Sequence, residues 1–255
     1  MKDLGEAQFV LGIERIRDRN IRVLGLSQKK YIDRVIRRYN MKKCSSGDLP
    51  IGKGDKMSTE QSSKNELEKE SMKDKPYASL VGSLMYAQVC IRPDLAFAVS
   101  VLGRFQSNSG TAHWIAAKKV LRYLKRTMDY MLTYSYVDNL QLVAYIDSDL
   151  AGCVDDRKST NSYIFLLAGG AVSWKSAKQS TIASSTMEAE FIGCYAATKQ
   201  AIWLRNMVKE LRVIDNIEKP LRIYCDNKAS VFFSKNNKRS LACRLMVMDI
   251  KYLKV

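Results

Sequence analysis

Three acidic motifs hold the residue types and spacing that could do chemistry: Asp147 in Y-I-D-S-D-L-A-G, Glu190 in S-S-T-M-E-A-E-F and Asp226 in I-Y-C-D-N. Carboxylates are hard oxygen ligands, and three of them brought from separate elements to one point can hold Mg²⁺ beside a phosphate. Without a cation they repel one another, so their clustering favours a divalent ion. Two such ions about 3.5–4 Å apart activate water and stabilise a leaving oxygen. Two neighbouring acids are ambiguous. Asp149 either shares the metal or shapes the turn after Asp147. Glu188 lies two residues before Glu190, about 200° away around a helix, so only one of them can face the site. Glu190 leads into the apolar stripe F-I-G-C and is the one selected.

The elements that must position these acids follow from the apolar pattern. Residues 140–146 read as a strand ending at Asp147, and residues 161–167 as a second strand. Gly169 and Gly170 turn the chain into a third strand opening at 171–174, giving a meander. A long helix is predicted over 185–211, with Phe191, Cys194, Ala197, Ala201, Leu204, Val208 and Leu211 on its apolar face. After Pro220, residues 221–225 form a strand that ends in Asp226, and 229–234 open another helix. If the first and fourth strands are parallel neighbours, both aspartates emerge at one sheet edge, where sites in α/β sheets form. The order β-β-β-α-β-α matches a short list of α/β folds.

Residues 1–138 have a different character. Strands over 8–17 and 21–26 flank the turn signal D-R-N. Ser27 precedes a helix with Ile32, Val35, Ile36 and Tyr39 on one face and Lys29, Lys30, Arg34, Arg37 and Arg38 on the other. Residues 44–75, rich in Ser, Gly, Lys and Glu, read as a linker or long loop. Three helices follow: 77–88, one starting at Pro93 with Leu95, Ala98, Val99, Leu102 and Phe105 inward, and one capped by Thr111. The last turns Trp114, Ala117, Val120, Leu121 and Leu124 inward and Lys118, Lys119, Arg122, Lys125 and Arg126 outward.

The net charge is +16 at a pI of about 9.6. It is spread along the chain, +10 over residues 1–138 and +6 over 139–255, which points to a polyanionic partner. Arg157 and Lys158, in the loop after the first strand of the meander, are candidate phosphate contacts. Asn227, beside Asp226, is a candidate for the sugar edge, where the 2′-OH marks RNA. Trp174 and Trp203 fit core packing better than base stacking. No run of about 18 apolar residues indicates a membrane span, and the opening M-K-D-L-G-E-A-Q-F is no signal peptide. Six scattered cysteines without a C-x-x-C pair disfavour zinc and suggest a reducing, intracellular setting, cytoplasmic or nuclear. The single histidine, His113, has no nucleophile motif nearby and reads as a packing or capping residue.

Taken in order, the motifs resemble a known family. Y-I-D-S-D-L-A-G, D-D-R-K-S-T, A-V-S-W-K-S-A-K-Q, S-T-M-E-A-E-F and Y-C-D-N-K-A-S resemble the ribonuclease H domain of copia-type retrotransposon Pol polyproteins. Upstream, M-K-D-L-G-E, F-V-L-G-I-E, L-S-Q-K-K-Y-I, V-G-S-L-M-Y-A, R-P-D-L-A-F-A-V and A-A-K-K-V-L-R-Y-L resemble the end of the reverse transcriptase. The resemblance implies an α/β chain. Its 139–255 would be a ribonuclease H-like mixed sheet with packed helices. Its 1–138 would be a mostly α thumb and connection region opening on a β-hairpin that positions the primer terminus. It implies cleavage of the RNA strand of RNA–DNA hybrids with Mg²⁺ or Mn²⁺, Asp147, Glu190 and Asp226 matching the family's first three metal-binding acids. Other Pol-derived chains are implied as partners.

Departures set further expectations. No Y-V-D-D occurs, so DNA synthesis by this chain alone is not expected. Leu150 replaces an aromatic residue, and Val247 replaces the histidine of K-H-I-D-I-K-Y. Asp249 belongs to that D-I-K-Y motif and is not the fourth catalytic acid. By the resemblance, that acid, with the last strand and helix, lies beyond Val255. Cleavage would then be impaired and a sheet edge bare. The alternative is an inactive, basic nucleic-acid-binding remnant.

Overall fold

Apolar residues at helical and strand spacing fold into two compact units, Met1–Tyr136 and Val137–Val255. A computed structural model describes residues 6–52, 54–138, 140–212, 221–236 and 248–252. The described residues are mixed α/β, with two sheets and seven α-helices. None of the helices is long and apolar enough to cross a membrane.

In the first unit β1 (Phe9–Val10), β2 (Ile13–Asp18) and β3 (Val23–Ser27) run antiparallel. The single strand expected over 8–17 is broken, because the chain reverses at Leu11 and Gly12, with φ of 50° and 74°. Glycine enters that left-handed region without a steric penalty. The Arg15 N–H closes the reversal on the Gln8 carbonyl at 2.8 Å. Helix α1 (Lys29–Arg38) buries Ile32, Val35 and Ile36, one apolar stripe. Its first turn is met by Ser27 Oγ, which accepts from the Lys29 N–H.

The segment 44–75 is not a free linker. It contains α2 (Glu66–Lys73), which has no buried residue and therefore no apolar period to read. Local bonds hold it instead: Asn65 Oδ1 accepts from the Glu68 N–H at 2.9 Å, and Lys69 and Lys73 pair with Glu66 and Glu70. Helices α3 (Tyr77–Ile91), α4 (Ala96–Gly103) and α5 (Thr111–Arg126) follow. The basic face of α5, expected to point outward, grips the preceding segment. Lys119 pairs with Asp55 at 2.5 Å, Arg122 bonds Ser45 and Ser46, Lys125 donates to the carbonyls of Lys42 and Cys44, and Arg126 pairs with Asp48.

Leu80, Leu84, Leu95, Leu102, Val120, Leu121 and Leu124 meet the α1 stripe in one core. Its edge holds two buried polar residues. His113 stacks on Phe105 with centroids 4.1 Å apart, accepts the Gly110 N–H at Nδ1 and faces the Ser58 carbonyl with Nε2. Arg92, 3% exposed, forks onto Asp94 and reaches Thr127 at its carbonyl and hydroxyl, tying the α3–α4 junction to the end of α5. A strand not legible in the sequence, β4 (Met131–Ser135), then pairs with β3 and completes the sheet order β1-β2-β3-β4.

The second unit is built on β5 (Val143–Ser148), β6 (Thr160–Leu167) and β7 (Gly170–Lys178), an antiparallel meander. The β6–β7 turn falls on Ala168 and Gly169, both at positive φ, the handedness that hairpins favour. Gly170 already belongs to β7, which runs four residues beyond the predicted 174. Helix α6 (Thr186–Glu210) crosses the sheet. Its Cys194, Ala197, Ala201 and Leu204 pack on Ala144, Ile146, Phe165 and Ile223. Then come β8 (Leu221–Cys225), parallel to β5, and α7 (Lys228–Asn236).

The sheet extends by one strand past β8. β9 (Met248–Tyr252) pairs with it in parallel, Leu221 opposite Met248 through Cys225 opposite Tyr252. The D-I-K-Y stretch, read as a motif, also alternates apolar and charged residues as a strand does. The sheet order is β7-β6-β5-β8-β9. Pro220 and Val247 lie outside the described residues.

Because Arg92 is nearly fully buried and Thr127 depends on it, Arg92→Leu should cost about 2 kcal/mol or more of stability. Urea unfolding followed by circular dichroism would show a lower midpoint. An unchanged midpoint would mean that Arg92 does not hold the helices together.

Candidate metal centre

Parallel pairing of β5 with β8 sets the site. Asp147 and Asp226 each lie two residues past Tyr145 and Tyr224, which the register sets opposite one another. Their rings stack at 5.3 Å on the exposed face of that pair. Ala144 and Ile146 turn the other way, under α6, and leave Asp147 with an open face to solvent. Asp226, just past β8, is also exposed.

Glu190 comes from α6. Ser185 caps this helix by accepting the Glu188 N–H, and Glu188 reaches back to the Ser184 N–H and hydroxyl. That reciprocal arrangement fixes the helix start and occupies Glu188. Two residues on, Glu190 points into the protein, 4% exposed, and accepts the Ser148 N–H at 2.8 Å. Gln179, at the end of β7, donates to the Ala189 carbonyl and braces the same turn. A Cβ on Gly193, one turn further, would lie 2.5 Å from Ser148 Oγ, so glycine lets α6 approach the end of β5 this closely.

The tightest grouping is Glu190, Cys225 and Asp226, whose ligand atoms lie within 4.8 Å of one another. Asp147 stands outside that grouping, yet the charge of Asp226 helps to raise it, and its own charge helps to raise Glu190. Cys225 was not foreseen. It ends the buried alternation Leu221, Ile223, Cys225 directly before Asp226, and its thiol donates to Glu190 Oε2 at 3.5 Å. That alternation was the available signal.

Electrostatics reflect crowded acids. Burial, then Cys225, Asp226 and Asp147, push the Glu190 carboxyl up to about 8, against the pull of the Ser148 N–H. Asp147 is also raised, first by removal from water and then by Asp226. Among the described residues none of the three acids joins a salt bridge. Glu190, Cys225 and Asp226, with Asp147 beside them, are the residues that could hold a divalent cation, which would relieve the mutual repulsion. Ser148 Oγ, buried beside them, has no hydrogen-bond partner among the described residues.

The neighbouring candidates have other engagements. Asp149 shapes the turn: its Oδ1 accepts the Thr160 N–H at 2.7 Å and the Gly152 N–H at 3.3 Å. Asn227 caps α7 through Oδ1, which accepts the Ser230 N–H. Arg157 is exposed, with a φ of 56°, in a loop where its N–H bonds the Cys153 carbonyl. Lys158 is half-buried beside it. An ion pair between Asp156 and Lys178, at 2.7 Å, anchors this loop to β7.

Over 252 residues the chain is 42% identical to the retrovirus-related Pol polyprotein from transposon TNT 1-94 of Nicotiana tabacum, covering 99% of this chain and 18% of that protein. It is 33% identical over 236 residues to the retrovirus-related Pol polyprotein from transposon RE2 of Arabidopsis thaliana, 92% of this chain and 16% of that protein. A shorter relative, the secreted RxLR effector protein 161 of Plasmopara viticola, is 49% identical over 133 residues, 52% of this chain and 94% of that protein. The chain thus spans less than a fifth of the transposon polyproteins it matches. No family model and no solved structure matches it.

The raised Glu190 gives a pH test on metal-free protein. Folded, it keeps its proton to about pH 8, whereas unfolded it releases it near 4.5. Its contribution is complete below about 4.5 and is lost as pH rises through 8. With a chelator present, Glu190→Gln should melt higher than the parent at pH 8.5, and the gap should shrink toward pH 5. A gap independent of pH would show that Glu190 is ionised throughout.

Proposed function

Since the chain belongs to the retrovirus-related Pol polyproteins of copia-type transposons, as a fragment of one, we propose that its second unit is a ribonuclease H-like hydrolase. It acts on the RNA strand of RNA–DNA hybrids. The observation that supports this reading is the convergence of Glu190 and Asp226, with Asp147 beside them, at the ends of parallel β5 and β8. The five-stranded order, with a meander extended by two parallel strands under a crossing helix, agrees with it.

Each residue then has a distinct task. Glu190 is the inner ligand, held by the Ser148 N–H and unable to turn away. Asp147 and Asp226 face solvent, where a phosphodiester can approach. Bound by these residues, Mg²⁺ or Mn²⁺ would supply the charge needed to activate water and stabilise the leaving oxygen. Arg157 and Lys158 steer the backbone from the β5–β6 loop. Asn227, its oxygen spent on the helix cap, keeps its amide N–H₂ for a sugar hydroxyl. Cys225 is buried and stands behind Glu190. A second reading, a module that binds hybrid without cutting, is favoured by one observation: Asp147 lies outside the tight grouping.

Incubating the purified chain with a labelled RNA–DNA hybrid and Mg²⁺ or Mn²⁺ separates the two. We expect cutting, and a loss of at least about 100-fold in Asp147→Asn. No cutting by folded parent protein would leave binding as the role. Arg157→Ala/Lys158→Ala should weaken hybrid binding and make it less salt-dependent. Equal affinity and slope would remove that pair from the interface.

A further inference from the structure

Residues 42–49 form no helix or strand, and Lys42, Lys43, Ser45, Ser46, Asp48 and Leu49 are exposed. Two anchors hold this stretch against the last turns of α5. Lys125 Nζ donates to the Lys42 and Cys44 carbonyls, and the Gly47 N–H donates to the Arg122 carbonyl at 3.0 Å. Between the anchors Ser45 meets Arg122. Nε of Arg122 donates to the Ser45 carbonyl at 3.0 Å, and Nη2 donates to the Ser45 hydroxyl at 2.7 Å and the Ser46 carbonyl at 3.3 Å.

Charge around this hydroxyl is unbalanced. Lys119 and Arg126 have carboxylate partners in Asp55 and Asp48. Arg122 and Lys125 bond only neutral oxygens among the described residues, and Nη1 of Arg122 bonds none of them. Lys42 and Lys43 add two exposed ammonium groups just before the serine. A neutral hydroxyl uses one guanidinium N–H weakly. A phosphate in its place brings three strong acceptor oxygens, and bonds between such an anion and a guanidinium are about twice as strong as neutral ones.

The sequence addresses the same atom. Lys42-Lys43-Cys44-Ser45 sets ammonium groups three and two residues before the hydroxyl, a charge pattern suited to an acid-lined protein-kinase cleft. An exposed stretch outside the regular elements can enter such a cleft.

We propose that Ser45 is a phosphorylation site for a basic-directed serine/threonine kinase, and that its phosphate locks residues 42–48 onto α5 through Arg122. In the transfer Ser45 Oγ bonds the γ-phosphorus of ATP while the bond from that phosphorus to the β–γ bridging oxygen breaks. ADP leaves, and the hydroxyl proton passes to the kinase's base. The modified side chain carries roughly −1.5 to −2 charge at pH 7, opposite a guanidinium already in place. The site lies in the first unit and does not depend on the hydrolase reading.

The test incubates the full, folded chain with ATP, Mg²⁺ and the catalytic subunit of cyclic-AMP-dependent protein kinase. Peptide mass spectrometry then locates the phosphoryl group, and amide hydrogen exchange reports on residues 44–48. One phosphoryl group is expected on Ser45, lost in Ser45→Ala and kept in Ser46→Ala. Exchange over 44–48 should slow by about fivefold or more on phosphorylation. Arg122→Gln should accept the phosphoryl group yet lose that slowing, each variant being compared with its own unmodified form. No uptake by the folded chain, or uptake on Ser46 alone, would overturn the site. Phosphorylation of Ser45 with unchanged exchange, or slowing that persists in Arg122→Gln, would overturn the lock.

Discussion

The amide of Ser148 donating to the Glu190 carboxyl is the contact on which the candidate site depends. It joins the end of β5 to the second turn of α6 and fixes the orientation of a buried acid. A carboxylate taken from water without a cation is costly, and burial with its acidic neighbours keeps Glu190 protonated well above the usual range. The surrounding packing can hold this arrangement because the helix sits low on the sheet. Gly193 removes the one side chain that would lift it, and small residues, Ala197 and Ala201, continue the close contact.

Much of this was legible in the sequence because the second unit follows strict periods. The meander, the long helix and the strand before Asp226 each carry a clear alternation or stripe, and β5 does pair in parallel with β8, the condition for both aspartates to share an edge. The missed features lack such periods or depend on distant partners. Helix α2 is polar on every side. β4 is five residues long and finds its partner about a hundred residues away. β9 was hidden inside a motif read for its chemistry. Cys225 continues only the buried alternation of β8, a pattern that core residues share. Among the acids themselves, the apolar stripe that follows Glu190 sets it apart from Glu188: Glu190 is buried, and Glu188 bonds Ser184 at the helix start.

Positive charge was the least reliable guide to what a residue does. A basic helix face and a basic hairpin look alike as strings of Lys and Arg. In the structure the cations of α5 grip carbonyls and carboxylates of residues 42–55, whereas those of β2 line an open groove. The difference lies in what packs alongside. An adjoining segment rich in Ser, Asp and free carbonyls absorbs the charge of α5, and a three-stranded face offers Arg17 nothing comparable.

The parallel pairing of β5 and β8 also fixes an order of events. All of α6 lies between the two strands, so a chain leaving the ribosome exposes Asp147 long before Asp226 exists. Pairings so distant in sequence close slowly, after their local elements have formed. The acids therefore meet only when the second unit is almost fully made. A nascent chain therefore carries the carboxylates one at a time and cannot bring them together until synthesis has passed β8.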